Sequence, residues 1–96
     1  MALEVKPFDV VDYLTSNEDL TAYLNEALEG NDPRDIAHTL SDVARARGGL
    51  ELLAEKTGIS YEKLQNALSH GAVMDFTTLL KITEALGVKF SATIAA

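Results

Sequence analysis

The chain has 96 residues, of which 47% are hydrophobic and 24% charged, with a net charge of −7 and no cysteine. A chain of this length closes one hydrophobic core with nothing to spare for a second, and its composition is that of a folded soluble domain, not of a disordered one. Disulfide staples, thiolate nucleophiles and Cys-ligated zinc are excluded together. No apolar run reaches the roughly 18 residues of a membrane span, and the opening Met1-Ala2-Leu3-Glu4-Val5-Lys6-Pro7 lacks a basic stretch followed by an apolar one. A cytoplasmic protein is expected.

Phe8, Val11 and Leu14 share one helical face and Ser16-Asn17 interrupts it, which predicts a short N-terminal turn of helix. Ser16 with Asp19 three residues on resembles a capping box, and Leu20, Tyr23, Leu24, Ala27 and Leu28 then recur at helical spacing up to Gly30. Asp32-Pro33 starts the next helix, since Asp caps free amides and Pro at the first helical position surrenders an N–H that had no partner. That helix carries Ile36, Leu40, Val43 and Ala44 as its stripe, places Arg45 and Arg47 in its last turn, and stops at Gly48-Gly49. Two short helices follow, one to Thr57 and one from Ser60 to about Ser69, separated by Gly58. Asp75 caps a last helix whose expected face is Phe76, Leu79, Leu80, Thr83 and Leu86, ended by Gly87. Beyond it Val88, Phe90, Ala92 and Ile94 alternate with Lys89, Ser91 and Thr93, which predicts one β-strand in need of a partner edge. The expected organisation is a single domain, 1–96, made of an N-terminal helical segment (1–30), a helical core (32–87) and a C-terminal strand (88–94).

The charge is divided along the chain. Residues 1–43 hold two basic and ten acidic side chains, a net of −8, whereas residues 44–96 hold six basic and five acidic, a net of +1. Two surfaces with two kinds of partner fit this division, a basic protein for the acidic half and DNA for the other. A merely solvated acidic face fits it as well.

The stretch 50–68 has the spacing of a DNA-binding helix-turn-helix, with Ala54 small where two helices cross and Gly58 suited to the tight turn between them. Leu53, Ile59, Leu64 and Ala67 or Leu68 are apolar where the pair packs on the rest of the domain. Ser60 caps the second helix, which turns Tyr61, Glu62, Gln65, Asn66 and Ser69 outward, with Lys63, near Glu62, as that face's cation. Gln and Asn amides pair bidentately with adenine in the major groove, Tyr61 reaches a phosphate or a thymine methyl, and Thr77 or Thr78 can hold a backbone phosphate. Lys56, Lys81, Arg45 and Arg47 are the remaining cations available to phosphates. So few cations predict weak binding by a monomer, and a homodimer presenting two recognition helices is expected.

Taken together, Phe8-Asp9, Tyr13-Leu14, the run from Tyr23 to Leu28, Asp32-Pro33, Ala44 to Gly48, Glu55 to Ser60, Ala67-Leu68-Ser69, Phe76, Leu79 and Ala85-Leu86-Gly87 resemble the addiction module antidote family, the small HigA-like antitoxins of bacterial toxin–antitoxin operons. The resemblance covers roughly residues 8–94. It implies an all-α, lambda-repressor-like five-helix bundle, an antitoxin that neutralises a small basic RelE/ParE-like toxin, and repression of its own operon through an Xre-like helix-turn-helix on operator DNA. Phe8, Tyr13, Tyr23 and Leu24 are the candidate toxin contacts, with ordinary core as their alternative. The departures from the family fall where DNA is read: Tyr61 stands where Arg is common, and Ala72-Val73-Met74-Asp75 replaces a loop resembling Gly-Asn-Pro. A stand-alone Xre-like repressor, or an interaction module that binds no DNA, are the rival readings.

Signs of catalysis are weak. Asp35, His38 and Asp42 share a helical face and could in principle hold a metal, but exposed polar residues on such a face are more often only hydrated. His70 has no nucleophile or orienting acid at a readable spacing. No enzyme, metal, cofactor, small-molecule substrate or membrane partner is expected.

Overall fold

The computed structural model describes residues 8–69 and 74–96. In chain order it contains a 3-10 turn, Val10–Tyr13, and five helices: α1 (Asn17–Glu29), α2 (Pro33–Ala46), α3 (Gly49–Thr57), α4 (Tyr61–Ser69) and α5 (Phe76–Leu86). Each boundary has a local cause. Ser16 Oγ accepts from the Asp19 N–H at the start of α1, Asp32 Oδ1 accepts from the Arg34 N–H at the start of α2, and Asp75 Oδ1 accepts from the Thr78 N–H at the start of α5. Asp19 reaches back to the backbone and hydroxyl of Thr15, one residue before the position a capping box would use. These bonds to the ionised form hold the Asp19 carboxyl below its usual range, the Thr15 N–H foremost, and the Thr78 N–H does the same for Asp75.

Helix α2 is the centre of the bundle, packing against α1, α3, α4 and the 3-10 turn, while α3 also packs against α4 and α5. The core joins Leu24 of α1, Leu40, Val43 and Ala44 of α2, Leu53 of α3, Leu64 and Leu68 of α4, and Ile82 and Leu86 of α5. Close approach is enforced at the α2–α3 corner. Gly48 has φ +111°, which strains any other residue, and a Cβ there would lie 2.6 Å from a Leu52 methyl and force that side chain to shift.

Two expectations are corrected. Among the described residues there is no strand: residues 88–96 run as irregular chain, and only Val88 is partly buried against the core. The last ordered links are the Gly87 N–H to the Glu84 carbonyl and the Val88 N–H to the Thr83 carbonyl, 2.8 Å, which close the end of α5. The alternating pattern of residues 88–94 is real, but the bundle offers no strand edge for it, and without an edge a backbone finds its hydrogen bonds in water. The buried face of α5 is also turned from the expected stripe: Ile82, Thr83 and Leu86 are buried, whereas Phe76 and Leu80 are 72% and 45% exposed. Docking on α3 along positions 79, 82, 83 and 86 is the i, i+3, i+4, i+7 choice that contains Ile82, and it leaves Phe76 and Leu80 on the flank.

Candidate functional site

Helices α3 and α4 are joined by Gly58, Ile59 and Ser60. Gly58 adopts φ +73° and its N–H closes α3 on the Ala54 carbonyl. The Thr57 hydroxyl donates to the Leu53 carbonyl and accepts from the Ile59 N–H, which stiffens the turn from inside. Ser60 Oγ then accepts from the Lys63 N–H and opens α4. With Leu64 and Leu68 fully buried, the opposite side of α4 presents Tyr61, Glu62, Lys63, Gln65, Asn66 and Ser69, all exposed. Lys56 near the end of α3 and Thr77 at the start of α5 are exposed as well, and Thr78 is half-buried with its N–H committed to Asp75. The surface is amide-rich and poor in cations, because Glu51, Glu55 and Glu62 lie on the same two short helices as Lys56 and Lys63.

A second arrangement joins α1, α2 and the N-terminal turn. Asp42, on α2, is 2% exposed, and both its carboxylate oxygens are engaged. The Tyr23 hydroxyl donates to Oδ2 at 2.6 Å and the Arg45 guanidinium donates to Oδ1 at 2.9 Å. Arg45 also makes a two-pronged contact with Asp9, at 3.1 Å on each side, and Asp9 caps the 3-10 turn by accepting from the Val11 N–H. Tyr23, Asp42, Arg45 and Asp9 therefore form one chain of hydrogen bonds from inside the bundle to the N-terminal turn. Burial, then the bond to Asp42, pushes the Tyr23 hydroxyl up to about 12. Arg45 holds the Asp9 carboxyl below its usual range.

Sequence reasoning treated Asp42 as one of three hydrated residues on an exposed face. The face exists, but α1 and the N-terminal turn cover its Asp42 end. His38 approaches Asp42 Oδ2 at 3.5 Å, and Asp42 is already taken by Tyr23 and Arg45. Among the described residues, no group of three or more His, Asp or Glu side chains is arranged to hold a metal. His70 lies outside the described residues. No helix of the described chain is long and apolar enough to cross a membrane.

Residues 4–94 match the family model described as "Probable addiction module antidote protein". The chain belongs to that family. It is also 40% identical over 90 residues to a Haemophilus influenzae protein described only as an uncharacterized protein, a match covering 94% of this chain and 92% of that one. No solved structure matches it. An antidote implies a cognate toxin as its partner, so the positions of the four candidate toxin contacts in this antidote matter. Leu24 is in the core at 5% exposure, and Tyr23 is half-buried with its hydroxyl on Asp42. Phe8 and Tyr13 are 77% and 66% exposed and stack on each other, with ring centroids 5.4 Å apart.

Proposed function

We propose that the chain is the antitoxin of a type II toxin–antitoxin pair: it neutralises a small basic RelE/ParE-like toxin and represses its own operon by binding operator DNA through α3 and α4. The observation that carries the first half is the match of nearly the whole chain to the antidote family. The acidic half supports the choice of a basic toxin, because complementary potential accelerates encounter and orients the partners. The test is growth rescue. Expression of the toxin gene beside this one should arrest growth, and co-expression of this chain should relieve the arrest; a neighbouring protein that leaves growth untouched, with both proteins made, would sink the reading.

The second half is supported by the geometry of α4. It is a two-and-a-half-turn helix that packs on the bundle through Leu64 and Leu68, is opened by Ser60, and presents Tyr61, Gln65, Asn66 and Ser69 on its exposed side. Gln65 and Asn66 read adenine in the major groove, while Lys56, Lys63 and Thr77 contact phosphates. The scarcity of cations makes a homodimer on a palindromic site the effective binding form. Gln65→Ala/Asn66→Ala should lower affinity for the operon's own promoter by about 10-fold or more, from about 1–3 kcal/mol per bidentate base contact, while leaving weak non-specific binding in place. Equal affinity of the unmodified protein for promoter and random DNA, with no salt dependence, would instead favour a module that binds only proteins.

A further inference from the structure

The 3-10 turn Val10–Tyr13 has no fully buried residue, and Val10, Val11 and Leu14 are only half-buried where it meets α2. Polar ties fix it further. Asp9 caps it, Arg45 grips Asp9 with two prongs, and Arg45 is itself fixed by the buried Asp42, which Tyr23 secures from α1. What this tether presents to solvent is a stacked pair of aromatic rings, Phe8 and Tyr13, at 77% and 66% exposure. The stretch that carries the rings is acidic: residues 8–33 contain seven Asp and Glu and no Lys, Arg or His, and the Arg45 cation beside the turn is already committed to Asp9 and Asp42. Exposed aromatic faces within a negative field suit one chemistry, a cation carried on an apolar or planar stem, because ring quadrupole and carboxylates attract the same group.

We infer that residues 8–14 form a pre-set docking arm for an Arg- or Lys-bearing segment of the toxin, with Phe8 and Tyr13 receiving the cationic side chains and Asp12 adding a carboxylate at the same turn. The inference rests on the antitoxin reading and adds to it the surface, the kind of group that surface takes, and the means by which it is held. The Tyr23–Asp42–Arg45–Asp9 chain positions the arm, so its residues act on binding through Phe8 and Tyr13. An arm ordered before encounter spares the complex the entropy of ordering it afterwards.

The experiment is a calorimetric titration of the intact chain with the protein encoded by the adjacent toxin gene, at low and moderate salt. Phe8→Ala and Tyr13→Ala should each weaken binding about thirtyfold, as loss of an aromatic anchor does. Asp9→Asn keeps a capping side chain but loses the ion pair. It should weaken binding about tenfold, flatten the salt dependence, and abolish the nuclear Overhauser contact between the Phe8 and Tyr13 rings while leaving the amide shifts of α3, α4 and α5 unchanged. A mere contribution to folding would move the shifts of those helices and not the salt slope. Unchanged affinity in Phe8→Ala and Tyr13→Ala, with the unmodified chain binding, overturns the arm and leaves the antitoxin reading standing. No binding by the unmodified chain overturns both. Loss of self-association in these variants, with toxin affinity retained, assigns the rings to a second copy of the chain and overturns the arm as well.

Discussion

The molecule has two extensions beyond its packed helices, and they behave differently. The N-terminal one, residues 8–14, forms a turn of helix and stacks its rings, although it buries no residue fully. The C-terminal one, residues 88–96, has the stronger periodic pattern, with Val88, Phe90, Ala92 and Ile94 in alternation, yet forms no regular element. The difference lies in what each finds on the bundle. The first finds a guanidinium that is already oriented by a buried carboxylate, and a short 3-10 turn satisfies its own backbone. The second needs a neighbouring strand, and the bundle has only helices to offer. A periodic pattern is an instruction to pair, and it produces structure only where the pairing surface exists.

The largest test of this contrast is removal of the tether's root. Asp42→Ala leaves the Tyr23 hydroxyl and one side of Arg45 without their acceptor and should cost about 2–3 kcal/mol in denaturant unfolding, the range for losing buried hydrogen bonds to a charged group. A loss under about 0.5 kcal/mol, the scatter of ordinary surface changes, would mean that the tether contributes nothing to the fold. The alkaline limb comes next. The Tyr23 hydroxyl titrates near 12 in the folded chain against 10.0 in its ordinary state, so its stabilising contribution is complete below pH 10 and disappears as pH rises from 10 to 12. The unmodified protein should lose stability through that window, and Tyr23→Phe should be nearly flat across it; parallel curves would separate Tyr23 from the tether. The smallest effect belongs to the other extension. Ile94 is 91% exposed, so Ile94→Ser should change stability by less than about 0.5 kcal/mol, and a larger change would show the tail packed on the bundle.

The contrast also explains what could be read from the sequence. The helix starts were legible, since Ser16, Asp32, Ser60 and Asp75 are short polar residues placed to accept from free amides, and each does so. The core stripe of α2 was legible for the same local reason. The exposed side of α4 followed from Leu64 with Ala67 or Leu68 as its packing positions; the structure buries Leu68, which turns Gln65, Asn66 and Ser69 to water. What depends on residues far apart was not legible. Asp42 reads as a surface acid in its own helix, and only the arrival of Tyr23 from 19 positions away and Asp9 on the far side of Arg45 makes it a buried junction. The signal available was composition: a Tyr on the α1 stripe and an Arg three residues after an Asp on α2 are polar groups that need partners once their faces are covered. The rotation of α5 was missed because Phe76 and Leu80 are as apolar as Ile82, and only the shape of α3 decides which of them enters.

The order in which the helices meet has a consequence for how the chain reaches its structure. Helix α2 packs on its immediate neighbours α1 and α3, α3 packs on α4, and the principal contacts beyond these, α2 with α4 and α3 with α5, pass over a single helix. Few distant loops must close before contacts begin to stabilise the chain, and topologies of this kind fold in microseconds to milliseconds. Synthesis is far slower than that, at about 5–20 residues per second. The bundle can therefore close within the time the ribosome takes to add one residue.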